Sequence, residues 1–227
     1  VLSYPQAYFN MVRPGISLYG VTPFDMPYDN LLPVMRMKAP VAFIKEFNRG
    51  ESVGSIIVST LEGNRPLFVE IQALTNPSVS STPRRVTTGI DFNRLLLVCA
   101  VLTRRVGVPV FNQDVVVNVT GGLRITEPAI DLGLAFAIVS SIRDVPLELS
   151  MAAIGEVGLS GEVRGVPQLE RRISEVRRLG LKRCVVPGDT TPEVSFHEGL
   201  EIVPVFTVAE AIGAYIPLHR RRQDPES

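Results

Sequence analysis

Tryptophan is absent from this chain of 227 residues, and cysteine and histidine occur only twice each. The cysteines, Cys99 and Cys184, stand far apart in apolar stretches, so they read as buried thiols rather than a disulfide, a metal pair or a nucleophile. No CxxC word occurs, and His197 has no second histidine or cysteine near it, which leaves no metal-ligand set. There is no GxxxxGKS/T word either, so nothing cradles a nucleoside triphosphate. Apolar runs stay short: Leu95 to Leu102 falls well below the ~20 residues a membrane helix needs. The first residues lack the basic stretch and small-residue cleavage site of a secretory signal. The expectation is a cytoplasmic protein with no metal and no membrane partner. Lysine is also scarce, at Lys38, Lys45 and Lys182 alone, and this bears on the chemistry below.

What is present is arginine, within a net charge of zero. It collects at Arg84-Arg85, Arg94, Arg104-Arg105, Arg171-Arg172, Arg177-Arg178 and Arg220 to Arg222, and a guanidinium suits bidentate phosphate contact. The apolar pattern predicts a mixed α/β domain. Ile56 to Val58 reads as a strand, Glu62 to Asn64 as a turn, and Leu67 to Ala73 as a partner strand with alternate residues on one side. Pro77 to Thr88 reads as a Ser/Thr/Pro-rich loop. Asp91 caps a helix that runs to Val106 and stops at Gly107. The run from Val115 alternates at period two and closes in Gly121-Gly122. Thr126 is placed to cap a helix carrying Leu132, Ala135, Phe136 and Val139, a hairpin follows at Gly158 to Gly161, and Leu169, Ile173, Val176 and Leu179 share a helical face that ends at Gly180. Strands at Arg183 to Val186 and Glu201 to Val205 and a capped helix from Val208 to Tyr215 complete the series.

This order of elements resembles the proteolytic domain of the Lon family (ribosomal protein S5 domain 2-like fold), and more closely the inactive Lon-like domain at the C-terminus of the RadA family of bacterial recombination proteins. The words that carry it are STLEGNRPLFVEIQAL from Ser59, Pro83-Arg84-Arg85 and Gly89-Ile90-Asp91-Phe92-Asn93-Arg94-Leu95. In Lon peptidases a GPSAG word supplies a nucleophilic serine and a GGLKEK word supplies the lysine that takes its proton. The matching words here put Ala129 at the serine position and Glu170 at the lysine position. A methyl group cannot attack a carbonyl, and a carboxylate has no nucleophile to activate. Ser140, Ser141 and Ser160 lack a lysine where the family places one. The resemblance therefore implies no peptidase activity.

Residues 1–54 resemble a different family. RPGI at Arg13 to Ile16 and LPVMRMKA from Leu32 look like alanine racemase, where the barrel meets the C-terminal β-domain. By that resemblance Arg13, Gly15 and Ile16 match positions beside pyridoxal phosphate. The family's Schiff-base lysine has no counterpart, and Ser55 stands where GESVGY would place the second base. The match reads as vestigial, with no cofactor expected. The domain reading is thus a racemase-like fragment at 1–54, partly disordered, a RadA-type Lon-like domain at 55–216, and a charged tail at 217–227.

The resemblance implies DNA (single-stranded or branched) as partner, assembly as a homohexameric ring, contact with the recombinase RecA, and a role in recombinational repair and branch migration. ATP, magnesium and zinc would belong to ATPase and zinc modules that this chain lacks. Arg84 and Arg85, in a polar loop, rank first as phosphate contacts, with Arg94, Arg104 and Arg105 behind them. For Arg104 and Arg105 complementarity to the helix dipole is an equal alternative. An enzyme, whether peptidase or racemase, and a ring module that touches no DNA are the competing readings.

Overall fold

The computed structural model describes residues 51–63, 65–189 and 199–216, all within one compact unit, Glu46–Ser227. Arg13, Gly15 and Ile16, His197 and the tail at 217–227 lie outside the described residues.

The chain runs through β1 (Glu51–Val53), β2 (Ser55–Glu62), β3 (Arg65–Pro77), β4 (Arg85–Thr88), α1 (Phe92–Val101), β5 (Gln113–Val119) and α2 (Asp131–Arg143). It continues through β6 (Pro146–Glu148), β7 (Met151–Ala153), β8 (Glu156–Val157), β9 (Val163–Arg164), α3 (Leu169–Arg178), β10 (Arg183–Pro187), β11 (Glu201–Val205) and α4 (Val208–Tyr215). Seven strands form one mixed sheet in the order β11-β10-β7-β2-β3-β5-β4. The β2–β3–β5 meander is antiparallel, and the β4/β5, β2/β7, β7/β10 and β10/β11 pairs are parallel.

Period-two alternation gives the sheet its two faces. Ile56, Val58, Ile71, Val115 and Val117 pack on one side with residues of α1, α2 and α4. On the other, Ile57, Ala152, Cys184 and Val186 pack with Ile173 and Val176 of α3. Helix α2 is buried on every side from Asp131 to Ser140, which explains its uninterrupted apolar run. The cysteines are buried free thiols, and burial pushes the Cys184 thiol up to about 12.

Several local expectations hold. Asp91 accepts the backbone N–H groups of Asn93 and Arg94, and α1 continues as a π-helical turn over Leu102–Val106 before Gly107 at φ 75°. Gly158 and Gly161 close the β8–β9 hairpin, and Thr207 caps α4. Others need correction. Part of the expected loop is β4, because Arg85 to Thr88 pairs with Val115 to Asn118 and so satisfies its backbone in the sheet. Thr126 caps nothing: a 3-10 turn at Pro128–Ile130 precedes α2. Glu51–Val53, assigned above to the racemase-like fragment, pairs with β6 within the same unit. Ser55, read as a replaced catalytic tyrosine, opens β2 and donates its hydroxyl to Glu70 at 2.5 Å.

Helix α2 lies against β2 at Gly133, where a methyl group would run into the Val58 side chain. Alanine would gain ~1 kcal/mol of helix propensity, but overpacking a closed core costs about 1–3 kcal/mol. Gly133→Ala should therefore lower the urea unfolding midpoint, and Val58→Ala added to it should restore part of the loss.

Candidate functional site

Three alternating positions before and at the start of α2 define the site. Ala129, which the resemblance to Lon peptidases matches to their serine, is fully buried. Its carbonyl accepts the Gly155 N–H at 2.9 Å, and the Gly155 carbonyl accepts from Leu132 at 3.1 Å. Glu127 and Asp131, two residues to either side, each hold an arginine from another helix.

Arg172 of α3 is wholly buried. Its Nε donates to the Pro167 carbonyl at 3.0 Å and its Nη1 to the Ser59 carbonyl at 3.0 Å, while Nη2 meets Glu127 Oε1. The other oxygen of Glu127 accepts the Leu61 N–H at 2.9 Å and the Thr60 hydroxyl at 3.3 Å. One guanidinium thus joins α3, β2 and the approach to α2. The sequence reading notes Arg172 only as half of an arginine pair and puts Leu179 on the apolar stripe; instead Leu179 is 40% exposed. The signal was available, since Arg172 falls three residues after Leu169 and four before Val176, on the buried face.

Arg94 pairs with Asp131 at 2.6 Å. Asp131 also accepts the Val157 N–H at 3.1 Å, so α1, α2 and β8 meet at a carboxylate with no exposed surface. Its Oδ1 is buried without a hydrogen-bond partner. Burial pushes the Asp131 carboxyl up to about 7; the Val157 N–H and the Arg94 guanidinium oppose that shift, and nearby Glu156 adds slightly to it.

The predicted site residues therefore divide. Arg94 is spent on Asp131, and Arg85 donates to the carbonyls of Arg84, Gln113 and Val110. Both were ranked as phosphate contacts, and both guanidinium groups are engaged inside the fold. Arg84, Arg104 and Arg105 stay exposed. Arg105 donates to the Leu159 carbonyl at 3.3 Å, and the Arg84 charge acts on nearby Asp114, whose carboxyl the Arg84 N–H chiefly holds below the usual range. Arg85 thereby ties the start of β4 to the segment after α1 through the Val110 and Gln113 carbonyls.

Glu170 is exposed in the first turn of α3. Ser140 is absorbed by the backbone, accepting from Gly54 at 2.8 Å and donating to Val145 at 2.5 Å, and Ser141 accepts the Thr75 N–H at 2.9 Å. Among the described residues no group of histidine, cysteine or carboxylate side chains could hold a metal ion, and no helix is long and apolar enough to cross a membrane.

The sequence profile described as Subunit ChlI of Mg-chelatase matches residues 59–190, more than half of the chain. The chain belongs to that family. The ChlI-family span contains both ion pairs and Ala129. The curated relatives carry another name: the chain is 43% identical to the DNA repair protein RadA of Bacillus subtilis over 208 residues, 90% of this chain and 45% of that protein. It is 45% identical to the RadA protein of a Synechocystis strain over 172 residues, 75% of this chain and 34% of the relative. For RadA of Streptococcus pyogenes the identity is 39% over 210 residues, 91% and 46% of the two chains. This ChlI-family chain therefore spans under half the length of these relatives. A match that covers 90% of the chain cannot leave out all of residues 1–54. Similarity to RadA thus runs back into the stretch read as racemase-like, and no racemase fragment is supported.

Two outcomes follow. Arg172→Met strands Glu127 and the Ser59 carbonyl; breaking a buried pair from one side costs about 3–5 kcal/mol, so a loss of about 3 is expected in urea denaturation, partly recovered by adding Glu127→Gln. For Asp131, the folded-state value lies above the ordinary 3.8, so the folded state binds the extra proton between the two values. Its contribution is full below about pH 4 and lost as pH rises through about 7. The parent should then lose more stability between pH 5 and pH 8 than Asp131→Asn does.

Proposed function

We propose that this domain serves recombinational DNA repair as a non-catalytic scaffold of Lon-like fold that binds DNA and assembles as a homohexameric ring in the cytoplasm. The observation that carries the reading is the identity of 39% to 45% with several DNA repair proteins named RadA. Ala129 supports the non-catalytic part: it presents a buried methyl group where a peptidase needs an attacking oxygen. Exposed Arg84, Arg104 and Arg105 support the DNA part, with duplex, single-stranded or branched DNA held through phosphates and without base readout. In a ring, one such set per subunit acts in concert through effective concentration. Contact with RecA, and motor activity driven by ATP, would belong to a longer protein of which this domain is a part.

The test is a DNA-binding titration of the chain at two salt concentrations, run beside a native mass measurement. The Arg84→Ala/Arg104→Ala/Arg105→Ala variant should bind more weakly at low salt, and its log-log salt slope should be shallower by roughly 2–3 for duplex DNA. Coincident curves for parent and variant would overturn the arginine assignment, and a monomer at every concentration would overturn the ring.

A further inference from the structure

A cavity of about 210 Å³ opens between the β1–β6 ladder and the end of α4. Its walls include Val145, Leu147, Met151 and the ring of Tyr215, and Glu51 and Glu148 stand in its lining. These two glutamates are direct cross-strand partners, so their side chains leave the same face of the ladder, an arrangement in which like charges repel.

Little within the fold relieves that repulsion. Arg183 lies 3.1 Å from Glu148 but is shared with Glu201 at 2.8 Å. Glu51 has no cationic partner among the described residues. Two carboxylates, Glu148 and Glu201, thus share one guanidinium, and Glu51 stands outside that pair. The Arg183 guanidinium carbon also sits over the Tyr215 ring, 5.5 Å from its centroid.

Sign and size then select a ligand. A phosphate is repelled, so the cavity does not extend the DNA-binding surface. Its volume lies below the ~300–1,000 Å³ of pockets that enclose whole small-molecule ligands, and suits a single long side chain. The apolar walls would cover a methylene stem, the paired carboxylates match a planar fork of donors, and an aromatic ring stacks on a guanidinium better than on an ammonium. We propose that this cavity is a docking site for an arginine side chain of a protein partner. The proposal is independent of DNA binding by Arg84, Arg104 and Arg105.

The test uses the full chain and a short capped peptide, acetyl-Gly-Arg-Gly-amide, with its citrulline counterpart of equal shape and no charge. In a nuclear magnetic resonance titration the arginine peptide should give saturable shifts at Leu147, Met151 and Tyr215, and the citrulline peptide should bind about tenfold more weakly or not at all. Glu51→Gln and Glu51→Gln/Glu148→Gln should weaken the arginine peptide by about the same factor. Both side chains are exposed, so the urea midpoint of these variants should stay near the parent's, and their DNA affinity should be undiminished. Equal binding of the two peptides, unchanged affinity in the variants, or shifts confined to other residues would each overturn the proposal. Loss of DNA binding by the parent chain would instead count against the repair reading alone.

Discussion

A buried guanidinium sets the terms for the rest of this domain. Arg172 sits with no exposed surface between α3, β2 and the segment that leads into α2. A charge there is tolerable only if every donor finds an acceptor, and Pro167, Ser59 and Glu127 supply them. That requirement holds α3 on its face of the sheet at one angle, and it fixes the path of the chain through Glu127. Ala129 and the start of α2 follow from that path.

Asp131 repeats the device on the opposite side of Ala129 with Arg94. The alternation of Glu127, Ala129 and Asp131 therefore places two ion pairs around a methyl group. The second pair is less well satisfied than the first, since one oxygen of Asp131 is buried without a partner. Burial makes its carboxyl take up a proton at far higher pH than an exposed aspartate would.

Charge is distributed over the surface by the same economy. Arg85 and Arg94 are drawn inward to carbonyls and a carboxylate, which leaves Arg84, Arg104 and Arg105 exposed. The β1–β6 ladder carries the opposite sign, with Glu51 and Glu148 facing each other across it. A chain with no net charge thus exposes groups of both signs in its folded unit, suited to different partners.

The amino-acid sequence by itself determined most of the secondary structure, because period-two runs such as Val115 to Val119, caps such as Asp91 and Thr207, and stop residues such as Gly107 act locally and leave a local signature. It also determined the absence of a hydroxyl at Ala129, which is a matter of residue identity alone. The short strands β1, β4, β6 and β7 escaped notice or were misassigned, since three- and four-residue segments owe their extended form to pairing with distant chain. Only the tertiary structure decided which arginines are free. A guanidinium reads the same on a surface and in a core until its acceptors are known. Apart from the neighbouring Arg84 and Pro167 carbonyls, those acceptors lie 25 and 28 residues away for Arg85, 37 for Arg94, and 45 and 113 for Arg172, distances that no local pattern spans.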